Sequence, residues 1–191
     1  MLNSFKYQNS ILLNMLKNSV KQIEKDEKRI LDELVKNANK SINDIAETCG
    51  FSRQKVWRVI NNLEKNHTIW GSVAVVNQEK LNKKSYMMLI KRSNKPLEKE
   101  VLNDVINRES ANKAKKKGID ITNSHYTHGA YDWVICFNAP DLQAAKGYVE
   151  NYINMYEEIV SDVKLIEIMF SAVNCGVTNP EIKKLKDFFN V

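Results

Sequence analysis

The chain has 191 residues, 43% hydrophobic and 27% charged, with only six glycines and three prolines; this fits one or two soluble globular domains and excludes fibrous and disordered classes. The net charge of +6 lies wholly in one part: residues 1–84 hold fifteen Lys and Arg against nine Asp and Glu, whereas residues 85–191 hold fourteen of each. A basic module joined to a neutral one points to a polyanion-binding part beside a part with another task. Cys49, Cys136 and Cys175 are odd in number and widely spaced, which argues against disulfides and a zinc site and fits a reducing cytoplasm. The apolar run Ile11-Leu12-Leu13 is too short for the core of a signal peptide, and no stretch has the length of a membrane span.

Ile11, Leu12, Met15, Leu16 and Val20 recur at rough helical spacing, so residues 1–22 are expected to form an amphipathic extension. Residues 24–36 form a second helical pattern with Ile30, Leu31, Leu34 and Val35 on one side. Ser41-Ile42-Asn43-Asp44 is a capping box with Asp in the last place, and Ile42, Ile45 and Ala46 then face inward. In the turn Cys49-Gly50-Phe51, Gly50 can take the left-handed conformation that ends a helix, and Ser52 is a good cap for the next one. Val56, Val59, Ile60 and Leu63 fall at i, i+3, i+4 and i+7, so that face is buried. Three helices, the last two joined by a short glycine turn, make residues 23–68 a helix-turn-helix.

The other face of the third helix carries Arg53, Gln54, Lys55, Trp57, Arg58 and Asn61, with Ser52 at its cap. Lys55 stands where a capping box would place an acid; a cation there opposes the helix dipole but suits a helix whose N-terminus meets phosphates. Arg, Gln and Asn can make paired hydrogen bonds to guanine and adenine edges, and a recognition helix uses its N-terminal residues for this. The competing reading is a solvated polar face on a protein-interaction domain. Trp57 packs either on the N-terminal extension or on thymine methyls and sugars.

Ile69 to Val76 is rich in valine and reads as a strand, forming a wing or leading out of the domain, and a polar linker completes residues 69–84. The second part, residues 85–175, predicts a strand over Tyr86–Lys91, a helix from Pro96 to Lys117, a strand over Ile119–Thr127, a turn at Gly129 and a strand over Tyr131–Asn138. A helix capped by Asp141 follows, with Leu142, Ala145, Val149, Tyr152, Ile153 and Tyr156 as its apolar stripe, then a last strand over Val163–Val173. That βαββαβ order is ferredoxin-like, so the fold class is α+β: a winged helix-turn-helix joined to a ferredoxin-like domain. Residues 176–191 form a tail with a short helix after Asn179-Pro180-Glu181. Two helices cover one face of such a sheet, yet the first and third strands are apolar on both, which implies a sheet-to-sheet homodimer.

Taken together, residues 26–173 resemble the Lrp/AsnC (feast/famine) transcription regulators. "DEKRILDELVKNANKSINDIAETCGFSRQKVWRVINNLEKN" is similar to their helix-turn-helix, "IWGSVAVVNQEKL" to their connecting strand and "HGAYDWVICFNAPD" to the Gly-x-x-Asp stretch of their effector-binding domain. The resemblance implies double-stranded DNA as a partner, dimers that assemble to tetramers or octamers, and an amino acid or other small metabolite as effector. By position Gly129 and Asp132 match the effector loop, with Asp132 facing an α-amino group or else a structural partner. His125, Tyr126 and His128 lie just before that loop and are expected to shape its ligand preference. The chain departs from the family pattern at Arg58-Val59, where a basic pair is common, at His67, where glycine is usual, and at Ile166–Met169, where threonines are frequent. Without that glycine, Asn66 or His67 must take positive φ. Expected is a cytoplasmic, non-enzymatic DNA-binding regulator with no cofactor and no metal. Two other readings are a non-DNA-binding assembly protein and an enzyme, since haem-pathway decarboxylases resemble the same architecture.

Overall fold

The computed structural model describes residues 21–189, so the extension expected over residues 1–22 lies almost wholly outside the described residues. The chain divides into two compact units, Met1–Ala74 and Val75–Val191. Among the described residues no helix is long and apolar enough to cross a membrane.

In the first unit, residues 21–36 are helical (α1), followed by α2 (Ile42–Cys49) and α3 (Arg53–Lys65). The Ser41 hydroxyl accepts from the Asp44 N–H at 3.2 Å, and the Ser52 hydroxyl accepts from the Lys55 N–H at 3.2 Å, so both expected caps form. Gly50 takes φ 65° and lets α2 stop within one residue. Ile30, Ile45, Ala46, Cys49, Val56, Val59 and Leu63 make one buried core. Val35 is 84% exposed, contrary to its expected place on the apolar side of α1. It lies about 140° round the helix from Ile30 at about 100° per residue, too far to reach the core. His67 takes φ 62° where glycine is usual, and the Ile69 N–H then returns to the Leu63 carbonyl at 2.9 Å.

Residues 69–77 do not form the expected strand, and Trp70 is 95% exposed. Valine content favours extended backbone, but a strand also needs a neighbour to bond to, and this segment pairs with none among the described residues.

The second unit runs β1 (Lys84–Arg92), α4 (Lys99–Ile106), α5 (Glu109–Lys115), β2 (Asp120–Tyr126), β3 (Trp133–Ala139), α6 (Leu142–Met155) and β4 (Val160–Ile168). Its sheet has the order β2-β3-β1-β4 with antiparallel neighbours, the ferredoxin-like arrangement. The single helix expected over Pro96–Lys117 is two helices: Arg108 takes φ 57° between them, which no continuous helix allows. Pro96 precedes α4, whose N-cap position is held by Glu98 with no side-chain capping bond. β4 ends at Ile168 rather than Val173, and Val173-Asn174 pairs instead with Val177-Thr178 in a short hairpin. The tail then winds through 3₁₀ turns over Ile182–Phe188, with Phe188 against Phe170.

Strand alternation decides the core. Tyr86, Met88 and Ile90 point to the helix side and are buried with Ile135, Phe137, Ala145 and Tyr148. On α6 Ala145 and Tyr148 are buried, as is Tyr156 at its C-cap, with Val149 and Tyr152 partly buried beside them, while the expected Leu142 and Ile153 are exposed. Phe137 stacks on Tyr86 at 5.6 Å and meets Tyr148 edge-on at 5.0 Å. Phe137→Ala should therefore destabilise the second unit by about 3–5 kcal/mol in denaturant titration, and a loss below about 1 kcal/mol would contradict this core.

Candidate nucleic-acid interface

The buried residues Val56, Val59 and Leu63 fix which side of α3 meets solvent. Arg53, Gln54, Trp57 and Arg58 are exposed, with Trp57 61% accessible. Arg53 and Trp57 form one row at i, i+4; Gln54, Arg58 and the exposed Asn62 form the next. Asn62 continues that row, although the sequence pattern alone does not single it out. Asn61, which the sequence pattern puts on this face, is half-buried, with its amide nitrogen enclosed and unpaired. Ser52 is exposed with its oxygen accepting the Lys55 N–H, which leaves its hydroxyl proton free to donate.

Lys55 is placed differently from the rest. Its ammonium lies 2.5 Å from Asp26 Oδ2 and 4.0 Å from the Phe51 ring centre. Arg29 of α1 covers the same ring at 4.9 Å. The Lys55 ammonium, then the Gln22 amide, hold the Asp26 carboxyl below its ordinary value. A second acid of α1, Glu33, binds Lys36 at 2.8 Å and Lys40 at 2.5 Å, and these two hold its carboxyl at about 2. Lys40 also reaches the Thr48 hydroxyl at 3.0 Å, tying α1 and its following loop to α2.

In the second unit, Asp132 is used by the chain itself. Its Oδ2 accepts from the Arg92 N–H at 2.8 Å, and its own N–H donates to the Ile90 carbonyl at 2.9 Å. The Thr127 N–H donates to the Asp132 carbonyl at 2.9 Å and the Thr127 hydroxyl to the Tyr131 carbonyl at 2.7 Å. These bonds stitch the 127–132 loop to the end of β1. His125 stands opposite Val134 on the face away from the helices, whereas Tyr126 pairs with Trp133 on the other face, its ring 5.5 Å away. His128 and Gly129 are exposed in the loop rather than on a strand. The five expected effector residues thus share one end of the sheet without converging in one cavity.

A cavity of about 60 Å³ lies between the helices and the sheet, lined by Trp133, Tyr148, Tyr152, Tyr156 and Ser110 among others. That is far below the roughly 300 Å³ at which small-molecule pockets begin. Burial pushes the Tyr152 and Tyr156 hydroxyls above their ordinary value.

Residues 27–69 match the family of winged helix-turn-helix DNA-binding domains. No curated protein matches the chain. Among solved structures, an AsnC family transcriptional regulator from Agrobacterium tumefaciens is similar at 18% identity, covering 86% of this chain and 97% of that one, with a TM-score of 0.59. The leucine response regulatory protein LrpA of Mycobacterium tuberculosis is similar at 15% identity, covering 78% and 94%, with a TM-score of 0.61. A transcriptional regulator from Neisseria meningitidis, in complex with L-methionine, is similar at 15% identity, covering 78% and 92%, with a TM-score of 0.57. At these identities the likeness is one of fold, and it runs through both units.

Asp26 and Glu33 titrate below their ordinary values of 3.8 and 4.5 in the folded chain. Their contribution to stability is complete above about pH 4.5 and is lost as pH falls towards 2. The melting temperature of the first unit should therefore drop across that window, and Glu33→Gln should flatten the drop. An acid limb unchanged in Glu33→Gln would contradict the pairing of Glu33 with Lys36 and Lys40.

Proposed function

We propose that this chain, which has the two-unit fold of the AsnC and Lrp regulators, is a sequence-specific DNA-binding transcription regulator of that family. The observation that carries the reading is the exposed face of Arg53, Gln54, Trp57 and Arg58 on a helix whose other face is locked into a core. A rigid helix can present base-reading groups in register, whereas a loosely held polar face cannot. The winged helix-turn-helix match over residues 27–69 supports DNA as the partner, as does the positive charge carried by residues 1–84. Phosphate contacts would supply most of the affinity and base contacts the selectivity.

The second unit acts as a homodimerisation part. Met87, Leu89, Val134, Cys136, Ile166 and Ile168 alternate with the core residues and so lie on the sheet face opposite α4, α5 and α6, which no helix covers among the described residues. A second copy would bury that face against its own equivalent, and the two DNA-binding units would then read half-sites repeated by whole turns of duplex. The loop around Gly129 and Asp132 is the place for an effector. Asp132 Oδ2 is committed to the Arg92 N–H, which leaves Oδ1 for the amino group of a small metabolite such as an amino acid. A protein that binds DNA in response to a metabolite works in the cytoplasm and needs no catalytic group.

Arg58→Ala should weaken binding to a selected duplex by about 1–3 kcal/mol, and wild-type affinity should fall steeply as salt rises. Unchanged affinity in that variant would remove Arg58 from the interface. Light scattering at micromolar concentration should give a dimer or a multiple of it; a monomer would sink the sheet-face assignment. Amino acids that raise the melting temperature of the wild type should fail to do so with Asp132→Asn, which keeps an acceptor for the Arg92 N–H but loses the charge. Equal stabilisation of both proteins would place the effector elsewhere.

A further inference from the structure

Arg53 and Gln54 project from the first turn of α3 with no hydrogen bond or ion pair to the rest of the chain among the described residues, whereas Lys55, the next residue, is fully engaged. Its N–H binds the Ser52 cap, and its ammonium spans Asp26 and the ring of Phe51. Asp26 is 7% exposed. A carboxylate removed from water needs partners for both oxygens, and this one has them: Gln22 Nε2 on Oδ1 at 2.8 Å and Lys55 Nζ on Oδ2 at 2.5 Å. Drawing Lys55 away to a phosphate would strip a carboxylate that is 7% exposed of its one ion-pair contact and leave it Gln22 and the more distant Arg29, a loss that offsets what an exposed phosphate contact returns. Phe51 sits at the rim of the domain core, so the ammonium is held by a group that cannot follow it outward.

We infer that Asp26 is a positioning residue for the DNA-reading helix: it pins the first turn of α3 to α1 through Lys55, and Lys55 itself contacts no phosphate. The inference rests on the DNA-binding reading and refines it. Of the three consecutive side chains that open α3, two face the duplex and the third belongs to the frame. The Ser52 cap sets where the helix starts, the buried Val56, Val59 and Leu63 set its rotation, and the Asp26–Lys55 pair holds the first turn, ahead of Val56, against α1. A first turn not held to α1 would blur the direction of Arg53 and Gln54 without removing any charge from the interface.

The test uses the full-length chain and a fluorescent duplex drawn from a random-sequence pool by the wild-type protein. In Lys55→Met, checked for folding by circular dichroism, the slope of log Kd against log salt should equal that of the wild type. A slope shallower by about 0.9, the signature of one lost phosphate contact, overturns the inference. Asp26→Asn should lower affinity several-fold at unchanged slope. The exchange Asp26→Lys with Lys55→Asp should recover affinity, because it keeps the pair. If Lys55 met phosphate, the exchange would be the weakest binder of all. Lysine acetylation of the wild type supplies a reading that needs no variant: Lys55 should react slowly and equally with and without duplex, and protection appearing only with duplex overturns the inference. A wild-type chain that draws no duplex from the pool overturns the DNA-binding reading as well, whereas a slope change confined to Lys55→Met overturns this inference alone.

Discussion

Val56, Val59 and Leu63 seat α3 in a core shared with Ile30 of α1 and with Ile45 and Cys49 of α2. Each such side chain contributes roughly 1.5–3 kcal/mol when fully removed from water, so together they hold the helix far more firmly than its own short hydrogen-bond ladder would. Everything claimed for the exposed face follows from that seating. Arg53, Gln54, Trp57 and Arg58 have a defined direction only because the residues between them have none to spare. The caps at Ser41 and Ser52 and the sharp stop at Gly50 set the lengths of the two helices, and hence where that face begins. Charge then adds a second level of fixing. Lys40 bridges Glu33 and Thr48, and Lys55 bridges Asp26 and Phe51, so basic residues of this domain are divided between holding the frame and facing outward.

The second unit obeys the same rule with a period of two instead of 3.6. Tyr86, Met88 and Ile90 are buried under the helices, and Met87 and Leu89 between them are not. α4, α5 and α6 are enough for one face of a four-stranded sheet, and the other face carries an apolar strip that no helix covers among the described residues. The loop holding Asp132 is bonded to the end of β1, the central strand beside β3 and β4. A ligand acting on Asp132 would therefore act on the strand that anchors the whole sheet, which is a physical route from effector to assembly.

Much of this was legible before any coordinates. The caps, the glycine turn, the i, i+3, i+4, i+7 face of α3 and the βαββαβ order all follow from local chemistry, and all are present. What was not legible depends on partners distant in sequence. The pairing of Lys55 with Asp26 is one such case, because Asp26, twenty-nine positions earlier, gives no signal that it will lie beside it. Asn61 and Asn62 differ by one step round a helix, and only the packed core decides which of them is exposed. The valines of residues 69–76 look like a strand because propensity is local, whereas pairing is not. The break at Arg108 carries no glycine or proline to announce it. Asp132 was visible as a carboxylate in need of a partner, but the partner, the Arg92 N–H, is a backbone group forty residues away.

In the proposed function one face of α3 reads DNA, and amide chemical shifts of the isotope-labelled chain, followed as a selected duplex is added, report on that face residue by residue. The largest changes are expected at residues 52–58 and at Asn62, with smaller ones at the buried Val56 and Val59 than at their exposed neighbours. Changes confined to residues 84–168, or none at saturating duplex and low salt, would contradict the claim.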